Sequence, residues 1–318
     1  LGMDRKLLIK AAIRYFPCII GSVALALVFV SAGAPIFGMK ATEAIAHIGI
    51  PIMGGGMGAG AVPIAQAFAS ALKIPAEQIL SKLVPAVALG NALAIVAGGL
   101  LDKLGKVKPS WTGNGQLLAS GTFEVPNDEE MQKQFSLQDF GIAIVIATAF
   151  FAWGNIVSNL FKLIGVNIHT YAWMIISVAV VKAANILPKN FENACALWYK
   201  FVAKNFTAAL LVGIGIAYTN LGDIIGAFSI SYVVLVLLVV IGAVIGAGLI
   251  GKLVGFYPIE AAITAGLCMA NMGGTGDVAV LTASKRMELM PFAQISSRLG
   301  GAFIILLASF LVPLFFGG

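Results

Sequence analysis

The chain contains the glycine-rich sequence GGGMGAG at residues 54–60 and a second one, GGTGD, at residues 273–277, each between long apolar segments. Glycine-rich backbone interrupts a helix, and lipid cannot satisfy the N–H and C=O groups that the break leaves free. A break at membrane depth is therefore stable only where protein encloses it or where it lines an aqueous cavity. Two breaks at matching places in two halves of a chain are typical of a transporter whose substrate site lies between inverted repeats.

The composition predicts an all-α integral membrane protein in a lipid bilayer. Of 318 residues, 59% are hydrophobic and 11% are charged, and the mean hydropathy is +0.97. Several apolar runs reach about 20 residues, the length of helix that crosses the hydrocarbon core. The net charge of +6 comes from Lys and Arg in short loops, with no basic face that would indicate a nucleic-acid partner.

The residues that catalysis or a metal would need do not occur in a recognisable arrangement. The sequence has no nucleophile and base pairing, no P-loop and no metal-ligand spacing, and Cys18, Cys195 and Cys268 are widely separated. We therefore predict no catalytic residues, no metal site and no cofactor, and we expect that the protein is not an enzyme.

The order of the apolar segments predicts two repeats. The first repeat, residues 1–101, has a span, the first broken segment (residues 41–72) and a second span. The second repeat, residues 228–318, has the same order around the second broken segment (residues 258–284). We expect both broken segments to be re-entrant hairpins that enter from opposite faces, because an odd number of spans separates the repeats.

The region between the repeats is predicted to hold an aqueous loop and connecting spans. Residues 102–136 are polar and are expected to form a cytoplasmic loop, and residues 137–227 hold the connecting spans. Within these, residues 190–204 have the pattern of an amphipathic helix in the membrane interface. Most of the 20 Lys and Arg residues lie on the face of the loop, so the positive-inside rule places the C-terminus outside.

Arg298 is the most informative single residue, because the rest of its apolar run carries no charge. A guanidinium inside the membrane costs about 2.5 to 3.5 kcal/mol on insertion scales unless it faces a cavity or a partner. Its planar fork fits a carboxylate with two hydrogen bonds, which favours an acidic substrate. A structural pair with Asp277 and a snorkelling side chain are the alternatives.

Other charged residues have simpler interpretations. Lys182 is near the end of its span and is expected to snorkel to the interface. Lys285, Arg286 and Glu288 are expected to form a solvated cluster on the cytoplasmic side.

The second glycine-rich break also carries side-chain oxygens. Asn271, Thr275 and Asp277 lie beside carbonyl groups that the break would unwind, and such oxygens hold Na⁺ in transporters. Asp277 could instead accept a proton, or cap the helix that follows. Glycine lets backbone N–H groups converge on an anion, and the N-termini of half-helices would favour a carboxylate.

The sequences PIMGGGMGAGAVP (residues 51–63), ANMGGTGD (270–277) and PFAQISSRLGG (291–301) resemble the bacterial 2-hydroxycarboxylate transporter family, the citrate and malate carriers. Family members carry further spans upstream of this start, so the resemblance implies that part of the carrier precedes this chain. It also implies a homodimer in the bacterial inner membrane. In each subunit a transport domain with both hairpins would move relative to a dimerisation scaffold, an elevator-type alternating access.

The resemblance assigns roles to residues at the two breaks and in the Ser-Ser-Arg motif. Sodium-coupled citrate carriers have an Asn at the position of Met57 and an Arg at that of Met272. The two apolar residues here disfavour a dedicated tricarboxylate site with Na⁺ coupling, and they favour malate, or malate and citrate together, with protons or exchange as drivers. Transport would be driven either by symport with a coupling ion, a proton or Na⁺, or by exchange (antiport). The predicted substrate-binding residues are Gly55, Gly56, Met57, Gly58, Gly273, Gly274, Thr275, Ser297 and Arg298, and the predicted cation-binding residues are Asn271, Thr275, Gly276 and Asp277.

Two other functions remain open at the level of sequence. The membrane subunit of a sodium-pumping decarboxylase also needs intramembrane carboxylates and broken helices, but it works with soluble partners. A receptor for the same acids that does not transport them is the third possibility.

Overall fold

The computed structural model describes residues 5–119, 136–166, 168–218, 222 and 229–316. Apart from an isolated bridge between Leu118 and Phe256, the regular structure in these ranges is helical. Six helices in them are long and apolar enough to cross a membrane, which confirms the predicted all-α membrane fold. The longer helices are α1 (Arg5–Gly33), α2 (Val62–Leu72), α3 (Ala76–Val107), α4 (Leu137–Leu163), α5 (Thr170–Ala183), α6 (Lys189–Tyr218), α7 (Ile230–Leu253), α8 (Gly274–Ala283) and α9 (Gly301–Phe316).

The chain divides into two compact units. The smaller unit consists of Leu1–Ala12 and Phe123–Ala217, and its helices α4 and α5 pack against each other. The larger unit consists of Ile13–Thr122 and Tyr218–Gly318. The larger unit therefore contains both broken segments, although they lie far apart in the sequence.

Close backbone packing of α1 against α7 forms part of the core of the larger unit. A Cβ atom added at Gly242 would lie 2.5 Å from the carbonyl oxygen of Leu25, and one added at Gly246 would overlap the carbonyl oxygen of Gly21. Gly242 and Gly246 are one turn apart, so they form a smooth stripe against which α1 packs directly. These glycines are explained by packing alone.

Helix α3 continues beyond the end of the predicted span. We expected the cytoplasmic loop to begin at residue 102, but the helix extends to Val107 and stops before Pro109. Asp102 and Lys106, one turn apart, form an ion pair of 3.0 Å that supports the added turn. The later part of the predicted loop, residues 120–135, lies outside the described residues.

Helix α6 is continuous where the sequence indicated two pieces. We predicted an amphipathic helix at residues 190–204 followed by a separate span, whereas one helix covers Lys189–Tyr218. The side chain of Asn205 donates to the carbonyl of Phe201 at 2.8 Å, so this polar residue bonds to its own helix and does not end it. The location of residues 190–204 in the membrane interface stays a prediction.

Lys182 does not snorkel. Its ammonium group lies 2.7 Å from Glu192 Oε2, and the side chains are only 8% and 11% exposed. The ion pair joins the last turn of α5 to the first turn of α6. The interpretation from sequence was wrong because Glu192 lies in the next helix, where no spacing rule connects it to Lys182.

Arg286 is buried, contrary to the solvated cluster expected for it, with 2% of its surface exposed. Its Nε donates to Glu260 Oε1 at 2.9 Å, and its Nη1 donates to Asp102 Oδ1 at 3.0 Å. Thr112 Oγ1 donates to the same Glu260 oxygen at 2.6 Å and accepts from Arg286 Nη2 at 3.0 Å. Lys285 is exposed, as expected.

This buried cluster closes the base of the second broken segment. Glu260 lies in its first turn and Arg286 follows its last helix, so the ion pair brings the two ends together. Asp102 fixes the same base to the end of α3.

We predict that Arg286→Gln destabilises the protein by about 3 to 5 kcal/mol, because the fully buried carboxylate of Glu260 loses its compensating charge, whereas Asp102 keeps its ion pair with Lys106. Lys285→Gln is the matched control, and the free energy of unfolding should change by less than about 0.5 kcal/mol, as for most surface substitutions. Denaturant unfolding in detergent micelles measures both variants. Equal losses would contradict a stabilising role for the buried cluster.

Candidate functional site

The first broken segment consists of two helical limbs joined by a short break. The first limb runs from Ala41 to Ile52 and includes a π-helical turn at Ile45–Gly49. The second limb begins with another π-helical turn at Met57–Ala61 and continues as α2. The rings of His47 and Phe68 lie 6.4 Å apart, so the second limb returns alongside the first.

The break in this segment requires glycine. Gly55 has φ 72° and Gly56 has φ 133°, in the region that residues with a Cβ atom rarely adopt. The chain therefore turns at the second and third glycines of the GGGMGAG sequence. This turn forms what we call the first tip, residues 53–56.

The second broken segment has the same organisation. Its first limb is Pro258–Ala261 followed by a π-helical turn at Ala262–Leu267, and its second limb is α8. The second tip, residues 268–273, ends at Gly273 with φ 82°. Helix α8 begins at the next residue, so its free N–H groups lie at the tip.

The two tips meet backbone to backbone. A Cβ atom added at Gly56 would lie 3.0 Å from the carbonyl oxygen of Met272, and one added at Gly273 would lie 3.1 Å from that of Gly55. A Cβ atom at Gly55 would also lie 2.5 Å from the carbonyl oxygen of Ser297. No side chain fits between these three backbone segments, which explains why glycine occupies positions 55, 56 and 273.

The carboxylate of Asp277 lies at the centre of the site. Its Oδ1 accepts from Asn271 Nδ2 at 2.9 Å, and its Oδ2 accepts from Ser297 Oγ at 2.9 Å. Asn271 Oδ1 accepts from the backbone N–H of Gly273 at 2.7 Å. Asn271 and Asp277 are fully buried, so this network ties the second tip to the Ser-Ser-Arg motif.

The structure excludes one alternative for Asp277. Helix α8 begins at Gly274, its N-cap residue is Gly273, and no side chain caps it. Asp277 lies inside the first turn, with its backbone N–H donating to the carbonyl of Gly273 at 2.8 Å. Asp277 is therefore not the helix cap.

Arg298 lies next to this network. It belongs to a π-helical turn at Ser296–Gly300 and is partly exposed. It directly follows Ser297, whose hydroxyl contacts the carboxylate of Asp277 at 2.9 Å. The structure therefore places the one charged residue of the last span at the site.

The remaining predicted residues differ in their exposure. Met57 and Gly276 are buried, and Gly276 packs against Asn91 and Asn271. Gly58, Gly274 and Thr275 are exposed, and they lie in the first turn of a helix that begins at a tip. These three residues have the access that a ligand needs.

Two contributors were missed by the sequence reasoning. Asn91 of α3 accepts from the backbone N–H of Met272 at 3.1 Å, and a Cβ atom at Gly276 would lie 2.7 Å from the same oxygen. The carbonyl oxygen of Cys268 lies 3.2 Å from Ser297 Oγ. An amide in the middle of an apolar span was a usable signal for Asn91, whereas no side-chain pattern reveals a backbone oxygen.

Two broken helices that meet at a buried carboxylate, in a chain with six candidate spans, define a membrane transporter. The chain belongs to the 2-hydroxycarboxylate transporter family, whose model matches residues 1–310. It is 40% identical to the citrate transporter CitP of Lactococcus lactis subsp. lactis over 310 residues, 98% of this chain and 69% of that protein. The family is one of transporters, so the decarboxylase subunit that the sequence left open is not supported.

Two further relatives are symporters. The chain is 40% identical to the Na(+)-malate symporter of Bacillus subtilis (strain 168) over 318 residues, 99% of this chain and 69% of the relative. It is 38% identical to the citrate/sodium symporter of Klebsiella pneumoniae over 312 residues, 97% of this chain and 70% of the relative. The family prediction from the sequence motifs is thus confirmed.

We predict that Gly55→Ala separates the tips, because its Cβ atom would collide with the backbone of Ser297 and its φ is strained. The free energy of unfolding should fall by about 1 to 3 kcal/mol, and hydrogen exchange at Gly56, Met272 and Gly273 should accelerate. Gly213→Ala in α6, where a Cβ atom meets open space, is the control. Unchanged exchange at the tips of Gly55→Ala would show that they do not need this contact.

Proposed function

We propose that this chain carries a 2-hydroxycarboxylate, malate or citrate, across the bacterial inner membrane as a secondary transporter. The observation that carries the proposal is the meeting of the two tips beside Asp277 and Arg298. The relatives named as citrate and malate transporters support the substrate class.

The substrate would bind at the exposed side of the tips. Arg298 would hold one carboxylate through its two parallel N–H groups. Two helices begin at the tips, at Met57 and at Gly274, and their free N–H groups and dipoles favour a second carboxylate. Ser297, in backbone contact with Gly55, would present its neighbour Arg298 at a fixed distance from the first tip.

The coupling cation would bind at the buried side. Asp277 carries the negative charge, Ser297 Oγ lies 2.9 Å from it, and the carbonyl oxygen of Cys268 lies 3.2 Å from that hydroxyl. Asn271, whose Nδ2 contacts Asp277, would contribute its Oδ1. Oxygen ligands of this kind, beside unwound backbone, hold Na⁺ in transporters. Thr275 and the backbone of Gly276 complete the residues that we assign to this site, and a proton on Asp277 is the other form that coupling would take.

The larger unit would be the transport domain. Both broken segments belong to it, so the whole substrate site moves together in an elevator-type cycle. The smaller unit would be the scaffold through which two copies form a homodimer. In this arrangement the broken segments are re-entrant hairpins of two inverted repeats, and the C-terminus lies outside.

Two methionines favour malate, or malate together with citrate. Met57, which follows the first tip, is 2% exposed, and Met272, within the second tip, is half-buried. Neither side chain offers a charge or a strong donor to a third carboxylate. A site with one guanidinium and two helix N-termini fits a dicarboxylate.

Transport by the purified protein tests the proposal directly. The protein is reconstituted in liposomes, and entry of labelled malate and citrate is measured under imposed Na⁺, proton or internal lactate gradients. We expect malate entry stimulated by at least one gradient. Absence of entry and of counterflow for both acids would overturn the proposal in favour of a receptor.

We predict that Arg298→Lys raises the half-saturation concentration for malate by about ten- to a hundredfold, because a charge-assisted bidentate contact is worth about 1.5 to 3 kcal/mol. Arg14→Lys, at an exposed position of α1, is the matched control and should behave as the parent protein. A half-saturation concentration unchanged in Arg298→Lys would exclude the clamp.

We predict that Asp277→Asn abolishes the stimulation of uptake by the driving cation gradient, because the amide cannot supply the negative charge. Glu77→Gln, at an exposed position of α3, should leave the stimulation intact. Uptake is compared with and without the gradient at saturating malate. Full stimulation in Asp277→Asn would place the coupling cation elsewhere.

A further inference from the structure

The turn that carries Ser297 and Arg298 has an unusual geometry. Ser296–Gly300 is π-helical and lies between Met290–Ile295 and α9, which are α-helical. Single π-helical turns are rare in proteins, and those that occur are often found at functional sites. Since the turn departs from the favoured α-helix, contacts from the surrounding protein must stabilise it.

Tyr15 of α1 supplies such a contact. Its hydroxyl lies 2.7 Å from Ser296 Oγ and donates to the carbonyl oxygen of Phe292 at 3.2 Å. Tyr15 and Ser296 are both fully buried. The hydroxyl therefore bonds to the last α-helical turn and to the first residue of the π-helical turn, where the hydrogen-bond pattern changes.

The ring of Tyr15 packs between two other aromatic rings. Its centroid lies 6.1 Å from that of Phe256 and 6.0 Å from that of Phe292. One turn further along α1, Ile19 approaches the other end of the π-helical turn, because a Cβ atom at Gly300 would lie 3.4 Å from its side chain. Helix α1 thus contacts both ends of the turn.

We propose that Tyr15 is a positioning residue that fixes the direction of Ser297 and Arg298. Neighbouring residues of a helical turn have fixed relative directions, so anchoring Ser296 orients the two residues that follow. Ser297 then reaches Asp277 at 2.9 Å, and Arg298 is directed to the substrate side. The proposal rests on the proposed function only for the role of Arg298, since the anchoring contacts are independent of it.

Tyr15→Phe tests the anchor, measured as malate uptake into proteoliposomes. The loss of one buried hydrogen-bonding group should raise the half-saturation concentration by about three- to tenfold. The maximal rate should change by less than about twofold, because a misplaced Arg298 weakens substrate binding alone. Tyr232→Phe is the matched control. Tyr232 is also a tyrosine of the larger unit, and its buried hydroxyl has no hydrogen-bond partner among the described residues, so uptake should be unchanged.

A double variant separates positioning from folding. Tyr15→Phe leaves the hydroxyl of Ser296 buried without a partner, which destabilises the protein, and adding Ser296→Ala removes that group and should restore thermal stability. The bond to the Phe292 carbonyl is still absent, so the raised half-saturation concentration should persist. If it returns to the parent value together with stability, Tyr15 is only a packing residue and the proposal fails.

Hydrogen exchange tests whether Tyr15 anchors the π-helical turn even if the protein does not transport either acid. Parent protein that takes up neither malate nor citrate would overturn the proposed function, not the anchor. In that case, amides of residues 296–300 should exchange faster in Tyr15→Phe and in the double variant than in Tyr232→Phe. Equal exchange in the three variants would overturn the anchor.

Discussion

The free backbone groups at the two tips must find partners inside the protein, and this requirement determines the rest of the larger unit. In lipid an unpaired backbone N–H or C=O group costs several kcal/mol. Asn91 and Asn271 satisfy the N–H groups of Met272 and Gly273. Because Asn91 belongs to α3, displacing the second tip from that helix would leave Asn91 Oδ1 and the N–H group of Met272 without this hydrogen bond.

Buried charge follows the same logic at the other end of the second broken segment. Arg286 with Glu260 and Asp102 fixes the base, at 2.9 and 3.0 Å. A buried ion pair is costly to break because one partner is left uncompensated. The base of this segment is therefore held by buried charge, whereas at the tip the carboxylate of Asp277 accepts hydrogen bonds from the neutral side chains of Asn271 and Ser297.

Local composition was sufficient to predict the fold class and the two glycine turns, because lipid restricts the chain to helices and positive φ restricts the turns to glycine. Arg298 was identifiable because a lone charge in an apolar run needs a reason. The burial of Arg286 and Lys182 was not predictable, since their partners lie in other helices and only the packed structure brings them together. Asn91 was visible as an amide in an apolar span, but its backbone partner in the second tip was not. The sequence did not predict that α6 is continuous, because polar residues such as Asn205 suggested the end of one helix although they are compatible with its interior.

Substrate and cation would share one short piece of backbone. Ser297 contacts Asp277, and Arg298, the next residue, is partly exposed and is the residue that we propose to hold the substrate. A cation at Asp277 would accept Ser297 Oγ as a ligand, so the hydroxyl would turn its lone pair toward the ion and give up its donation to the carboxylate. That change would fix the π-helical turn and with it the guanidinium. Each ligand would therefore bind more tightly when the other is present, as reciprocal coupling requires, without any contact between the two ligands.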